Sequence, residues 1–449
     1  MTADAINIRT ILNESRFTAF HWLVFGMCFF IVLLDGFDTS AIGYVAPALV
    51  SEWGIARPDL APVLSAALFG LAFGALAAGP LADSFGRKRI MIGAVLIFAL
   101  ASFASARAGD VNALTIWRFV TGVGLGAAMP NAVTMMSEYC PDRLRALITN
   151  AMFCGFPLGA SLGGFVAAWM IPQWGWRSVL LLGGTAPFLL CLILIWKMPE
   201  SIRYLVAREG DPDKITAILR RFAPAGARAK AFFLDEPGRV AKAGPALIVS
   251  KPYLVGSLML WIAYFMGLVI FYALINWMPV LLKDAGLDPR TATLIAALFP
   301  LGGIGAIASG WLMDHYNANK VLAVFYLLTA AAVYAIGQAA GSSGLLAFIV
   351  FLGGALMNTA QSSLPALAAQ FYPTAGRATG VAFMLGVGRF GGIAGSFLVA
   401  ELTRRQVDFS GIFAIVAIAG VIATIALIVK YFAHPEAPAG AGSDVLMSH

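Results

Sequence analysis

Twelve runs of mostly apolar residues recur along the whole chain. They lie at roughly 20–44, 59–82, 89–108, 113–138, 145–169, 177–197, 254–281, 291–313, 320–339, 343–370, 378–401 and 410–432. Each is about the 20 residues that a helix needs to cross the hydrocarbon of a bilayer. In that medium backbone polar groups must be satisfied internally, so only helices and closed barrels span it. A barrel would read as strands of about ten alternating residues, and these runs do not alternate. Only 12% of the residues are charged, against about 25% in a soluble domain. The chain is therefore an all-α membrane protein with twelve transmembrane helices. Its first run is too long for a signal-peptide core and lacks a clear small-residue cleavage site, so it reads as a retained first helix.

The single long hydrophilic stretch, 199–252, splits the spans six and six. The expected organisation is an N-terminal six-helix bundle (1–198), a linker loop (199–252), a C-terminal six-helix bundle (253–434) and a tail (435–449). The two bundles echo each other. Gly79-Pro-Leu-Ala-Asp83 recurs as Gly310-Trp-Leu-Met-Asp314, a shift of 231, and a basic residue follows six positions later in both, Arg89 and Lys320. Pro141-Asp-Arg-Leu-Arg145-Ala recurs as Pro373-Thr-Ala-Gly-Arg377-Ala, a shift of 232. Such echoes fit parallel repeats about an axis along the membrane normal, with the substrate site between two pseudo-symmetric halves.

Basic residues set the orientation. With both termini cytoplasmic, the short inner loops and the N-terminal tail hold nine Lys or Arg, the outer loops seven, and the long linker a further ten. Positive charge favours the cytoplasmic side, although long loops count for less. The net charge of +7 follows from this topology and suggests no nucleic-acid partner. Four cysteines (Cys28, Cys140, Cys154, Cys191) lack paired spacing and imply neither disulfides nor a metal site. No phosphate-binding loop, nucleophile–base pair or ligand cluster appears, so no cofactor, no metal and no enzyme activity are expected. Gly386-Val-Gly388-Arg389-Phe-Gly391 matches a dinucleotide fingerprint by letter, but inside a membrane span and without the strand such a site requires. A sensor is disfavoured as well, because the linker is too short and Pro-rich for an output domain.

Gly79 to Arg89 resembles the signature loop between helices 2 and 3 of the major facilitator superfamily. Arg118-Phe-Val-Thr-Gly122-Val-Gly124-Leu-Gly126 is similar to its fourth-helix pattern, and Pro199-Glu200-Ser201-Ile-Arg203-Tyr-Leu205 to the motif after helix 6 in its sugar and organic-ion branches. Asp35-Gly36-Phe37-Asp38, with Arg377 and Arg389, resembles the aromatic acid:proton symporter family. The resemblance covers nearly the whole chain. It implies import of benzoate-like or hydroxybenzoate-like acids with protons across a bacterial inner membrane, by alternating access and with one monomer holding a complete pathway. The second signature loop departs from the pattern: Asp314-His-Tyr-Asn-Ala-Asn-Lys320 lacks most of the usual Gly and Arg. An exporting proton antiporter of the same fold is the rival, although span 5 only loosely matches the antiporter pattern.

Of 30 Lys and Arg, only Arg118 and Arg389 lie well inside spans, and of 23 acids only Asp35 and Asp38 do. A charge at the bilayer centre costs about 2.5–3.5 kcal/mol on insertion scales, so these four are expected to face an interior and serve a purpose. Asp35 and Asp38 share one helix face. Two carboxylates so close in a poorly solvated place do not both stay ionised readily, which makes the pair a candidate proton carrier. The competing reading pairs Asp38 with Arg118, since a rise of 1.5 Å per residue puts both at similar depth. Asp35 is deeper and has no evident fixed partner. Arg389 lies near the midplane, where a guanidinium can hold a carboxylate bidentately. Its repeat counterpart is Pro157, so this cation belongs to one half. Arg118, Tyr264, Phe271, Tyr272, Asn276, Asn358 and Gln361 complete the expected substrate-binding set, as an apolar lining with few polar contacts; Trp277 fits an interfacial belt equally well. Asp83, Arg87, Arg89, Asp314 and Arg377 are the expected gating residues, tying helix ends together at the cytoplasmic face.

Overall fold

Pro, Gly and the loops of the repeat set where the helices begin and end. In a computed structural model, residues 5–208, 211–224, 231–233, 248–305, 315–339, 341–372 and 377–433 are described. After a short strand β1 (Ala5–Asn7) and helix α1 (Ile8–Glu14), the N-terminal spans are α2 (Ala19–Trp53), α3 (Ala61–Phe85), α4 (Arg87–Ala106), α5 (Val111–Tyr139), α6 with α7 (Arg145–Phe153, Gly155–Trp174) and α8 (Trp176–Lys197). Two short helices follow, α9 (Ile202–Ala207) and α10 (Pro212–Leu219), and then strand β2 (Ala231–Phe233). The C-terminal spans are α11 (Leu254–Asp284), α12 (Pro289–Leu301), α13 (Ala318–Gln338), α14 (Ser343–Phe371), α15 (Arg377–Arg404) and α16 (Phe409–Ala433). Among the described residues eleven stretches are long and apolar enough to cross a membrane. The remaining span starts as α12 and continues through a 3-10 turn, Gly302–Gly305, to the edge of the described residues.

The fifth span, expected as one helix, is broken. Pro157 has no N–H to offer the Phe153 carbonyl one turn back, and the helix parts between Phe153 and Gly155. Four Gly pairs mark close helix contacts. Gly70 and Gly74 of α3 lie against the α5 backbone at Phe119 to Ala127, and Gly122 and Gly126 of α5 lie against α3 at Ala67 and Leu71, so that a side chain on any of them would strike the other backbone. Gly155 and Gly159 of α7 meet α2 at Phe29 and Leu33, and Gly391 and Gly395 of α15 meet α11 at Phe265 and Val269. Without a hydrophobic drive between helices in lipid, such close backbone packing is what holds a bundle together.

The described parts of the linker pack against the first half. At the end of the bundle that carries it, here the linker end, β1 pairs in parallel with β2, Ile6 opposite Phe232. Ile8, Ile11 and Leu12 of α1 and Ile215, Leu219 and Phe222 around α10 are buried against the first half. Phe222 stacks on Phe20 at 5.3 Å and meets Tyr139 edge-on at 6.3 Å.

At the opposite, far end the halves are latched together. The Arg57 guanidinium pairs with Asp284 at 2.7 Å, and Lys283 Nζ donates to the Pro47 carbonyl at 3.3 Å. Ser161 donates to the Ala297 carbonyl at 2.9 Å, and Gly43 lets α2 touch the α11 backbone at Ile275 and Asn276.

Candidate functional site

Asp35 and Asp38 lie near the middle of α2, at 2% and 1% exposure, yet their surroundings differ completely. Asp38 is held by Arg118 of α5, which donates from Nη1 at 2.9 Å and from Nη2 at 2.7 Å to its two carboxylate oxygens, and again to its backbone carbonyl at 3.1 Å. Ser102 of α4 adds a fourth hydrogen bond at 3.3 Å. A bidentate pair this deep satisfies both charges at once. Arg118 is fully buried, so it stands in the wall of the first half, apart from the other expected substrate contacts.

Asp35 accepts a weak hydrogen bond from Thr39, 3.3 Å. The charges acting on it are those of Arg389 and Asp38. Arg389, the cation that the second half places at mid-membrane, thus lies within electrostatic range of Asp35 across the boundary between the halves. Gly36 lies next to it because a side chain there would strike the Phe156 carbonyl, at the break in the fifth span.

Arg389 is half-buried on α15, bracketed by two tyrosines of α11. The Tyr264 ring rests on Gly388 and the Tyr272 ring on Gly392, where any side chain would overlap them. Both tyrosines feel the Arg389 charge, and Tyr272 also feels Asp35. Phe271 supplies the apolar wall, 6.2 Å from Phe156 of the first half and 6.0 Å from Phe299 of α12 between ring centroids. Asn358 donates to the Phe299 and Gly354 carbonyls, 3.3 and 2.8 Å. Gln361 accepts from the Tyr326 hydroxyl of α13 at 2.7 Å and donates to the Tyr264 carbonyl at 3.3 Å. Asp35, Arg389, Tyr264, Phe271, Tyr272, Asn358 and Gln361 are thus gathered about one centre.

Asn276 sits elsewhere. It is buried at the latched far end, donating to Ser396 at 2.9 Å and the Leu64 carbonyl at 3.4 Å. Trp277 beside it is also fully buried, its indole N–H donating to the Ser396 carbonyl at 3.0 Å, so it belongs to no interfacial belt. Of the expected gating residues, Arg87 lies 3.5 Å from Glu138 and against the Tyr204 ring, and Arg89 is exposed. Asp314 falls outside the described residues, as do the side chains of Asp83 and Arg377. Phe156, Phe299 and Tyr326 carry no signal in the sequence that separates them from the other apolar-span aromatics; only their neighbours mark them.

A bundle of bilayer-length helices in two like halves, with a buried acid of one facing a cation of the other, defines a secondary membrane transporter, and the chain belongs to the Major Facilitator Superfamily, whose family model matches residues 28–332 and 260–445. It is similar to the 4-hydroxybenzoate transporter PcaK of Pseudomonas putida, 48% identical, covering 95% of this chain and 96% of that one. A gallate transporter of the same organism is 42% identical over 94% of both chains. The benzoate transport protein of Acinetobacter baylyi is 32% identical over 89% of this chain and 87% of its own. The likeness to aromatic acid:proton symporters seen in the motifs thus extends over the length of the chain. Among solved structures, the xylose transporter XylE from E. coli in an inward open conformation superposes with a TM-score of 0.72 at 17% identity, covering 94% of this chain and 98% of that one. At that identity the match speaks for the fold.

Proposed function

We propose that this protein imports small aromatic carboxylates, of the benzoate and hydroxybenzoate kind, together with protons across a bacterial inner membrane. The observation that carries the reading is that Asp35 of the first half lies within electrostatic range of Arg389 of the second, beside Tyr264, Phe271 and Tyr272. The names of the similar transporters support the same substrate class. The substrate carboxylate sits on the Arg389 guanidinium, and a proton sits on Asp35. Arg389 then exchanges one carboxylate for another, so the site never leaves a bare cation in the membrane. With proton and anion both loaded, the centre carries little net charge and the halves can rock past it.

In this reading the linker end and both termini are cytoplasmic, an orientation that the basic linker supports. The latched far end is then periplasmic, and its Arg57–Asp284 pair and Asn276 act as the outer gate. Asp38 and Arg118 hold α2 to α5 so that Asp35 is presented at a fixed depth. Asp83, Arg87, Arg89, Asp314 and Arg377 act at the cytoplasmic gate, and one monomer suffices for the cycle.

The test is uptake of radiolabelled aromatic acids into proteoliposomes, with and without an inward proton gradient. Gradient-driven accumulation is expected in the wild type. In Asp35→Asn it falls at least about 100-fold, because loss of a proton-carrying group removes the coupled step itself rather than one hydrogen bond. Efflux driven by the same gradient would point to the antiporter instead.

A further inference from the structure

We infer that Gln361 reads a hydroxyl on the substrate ring, and that Tyr326, a positioning residue, sets it for that task. The inference rests on the aromatic-carboxylate reading above. A primary amide has two N–H donors and two acceptor sites on its oxygen. In Gln361 one acceptor site is taken by the Tyr326 hydroxyl at 2.7 Å, and one donor goes to the Tyr264 carbonyl at 3.3 Å. A carbonyl can only accept, so the amide is fixed with its nitrogen towards α11 and its oxygen towards α13. One oxygen site is left, and the second N–H has the Tyr264 hydroxyl beside it, from which a substrate hydroxyl can take it over; Gln361 is half-buried rather than sealed.

A phenolic hydroxyl is a group that uses both, accepting from the nitrogen and donating to the oxygen. An unsubstituted ring offers neither, and leaves the amide unmet in an apolar wall. Asn358, one turn away on α14, is less suited: both of its amide hydrogens go to main-chain carbonyls, so it retains only acceptor capacity. Gly267 marks how closely the knot is built. A Cβ there would overlap both the Gln361 oxygen and the Tyr326 hydroxyl. The knot also adjoins the anion site, since Tyr264 stands beside Gln361 and next to Arg389. The inference places the ring carboxylate on Arg389 and the opposite edge of the ring at this amide.

The experiment compares 4-hydroxybenzoate with benzoate as competitors of proton-driven uptake in proteoliposomes. The variants are Gln361→Leu, Tyr326→Phe and Asn358→Leu. The wild type is expected to prefer the hydroxylated acid. Gln361→Leu should lower that preference by about tenfold and Tyr326→Phe by about threefold, the range of one or part of one neutral hydrogen bond. The loss should fall on 4-hydroxybenzoate rather than on benzoate in both, a pattern that general loosening of the bundle would not give. Asn358→Leu should leave the ratio alone. If Gln361→Leu does not fold, the near-isosteric Tyr326→Phe carries the test. An unaltered ratio in variants that still transport would overturn the inference, as would equal wild-type affinity for both acids. A wild type that takes up neither acid would overturn the aromatic-carboxylate reading, and this inference with it.

Discussion

The two halves share a topology and a repeat, but they satisfy their buried polar groups in opposite ways. The first half uses charge against charge. Asp38 and Arg118 form a bidentate pair in its core. At its linker end Glu200 accepts from the backbone N–H of Lys88 at 3.0 Å and of Ser201 at 2.9 Å, while Lys88 Nζ caps the Ile195 carbonyl at 3.2 Å. Among the described residues of the second half, the matching positions use neutral partners and ring faces. Position 87 shifted by 231 is Ala318, and position 138 shifted by 232 is Gln370, so both members of the Arg87–Glu138 pair are lost together. Position 88 becomes Asn319, whose side-chain oxygen accepts from Lys430 at 2.8 Å. Lys430 is 1% exposed and lies over the Phe371 ring, and Lys320 lies over Tyr431. The equivalent loop is thereby tied to its own last helix, whereas in the first half it is tied to the linker. Cation–π contacts and hydrogen bonds to a neutral amide are screened little by salt, unlike exposed ion pairs.

This contrast can be broken from its strongest contact downwards. Arg118→Leu leaves Asp38 buried without its partner and should cost about 3–5 kcal/mol, read as a fall in thermal stability in detergent. Adding Asp38→Leu should restore most of the loss, since replacing both partners by apolar groups is near neutral. A single variant of unchanged stability would remove the pair from the scaffold. Asn319→Leu is next, at about 2 kcal/mol, because it takes a hydrogen bond from a buried ammonium; Lys430→Met in the same background should recover part of it. Glu138→Gln should be smallest, about 1 kcal/mol, as expected for a long contact at 3.5 Å between side chains 16% and 11% exposed. Its effect should shrink in 1 M salt while that of Asn319→Leu persists. The reverse dependence would mean that the halves are held alike after all.

Some of the site was legible residue by residue. Counting helix rise placed Asp38 and Arg118 at one depth, and they are bonded. It placed Arg389 at mid-membrane, where it faces Asp35. That Asn276 stands apart from the other expected contacts was hidden from such a count. A polar residue in a span reads the same whether it lines a cavity or seals a gate, and the difference lies in Leu64 and Ser396, 212 and 120 residues away. The order in the linker was equally hidden, since a few apolar residues in a charged stretch carry no period until a bundle offers them a surface.

By itself the sequence determined the twelve spans, the repeat and the short list of charges that a membrane would not tolerate without use. Each of these follows from transfer of single groups into hydrocarbon, which depends on composition along the chain. Tertiary structure alone decided which acid was already neutralised, which arginine was available, and that Tyr326 fixes the amide of Gln361. Those outcomes are set by directional contacts of a few ångströms between residues far apart in the chain, and no linear pattern encodes them.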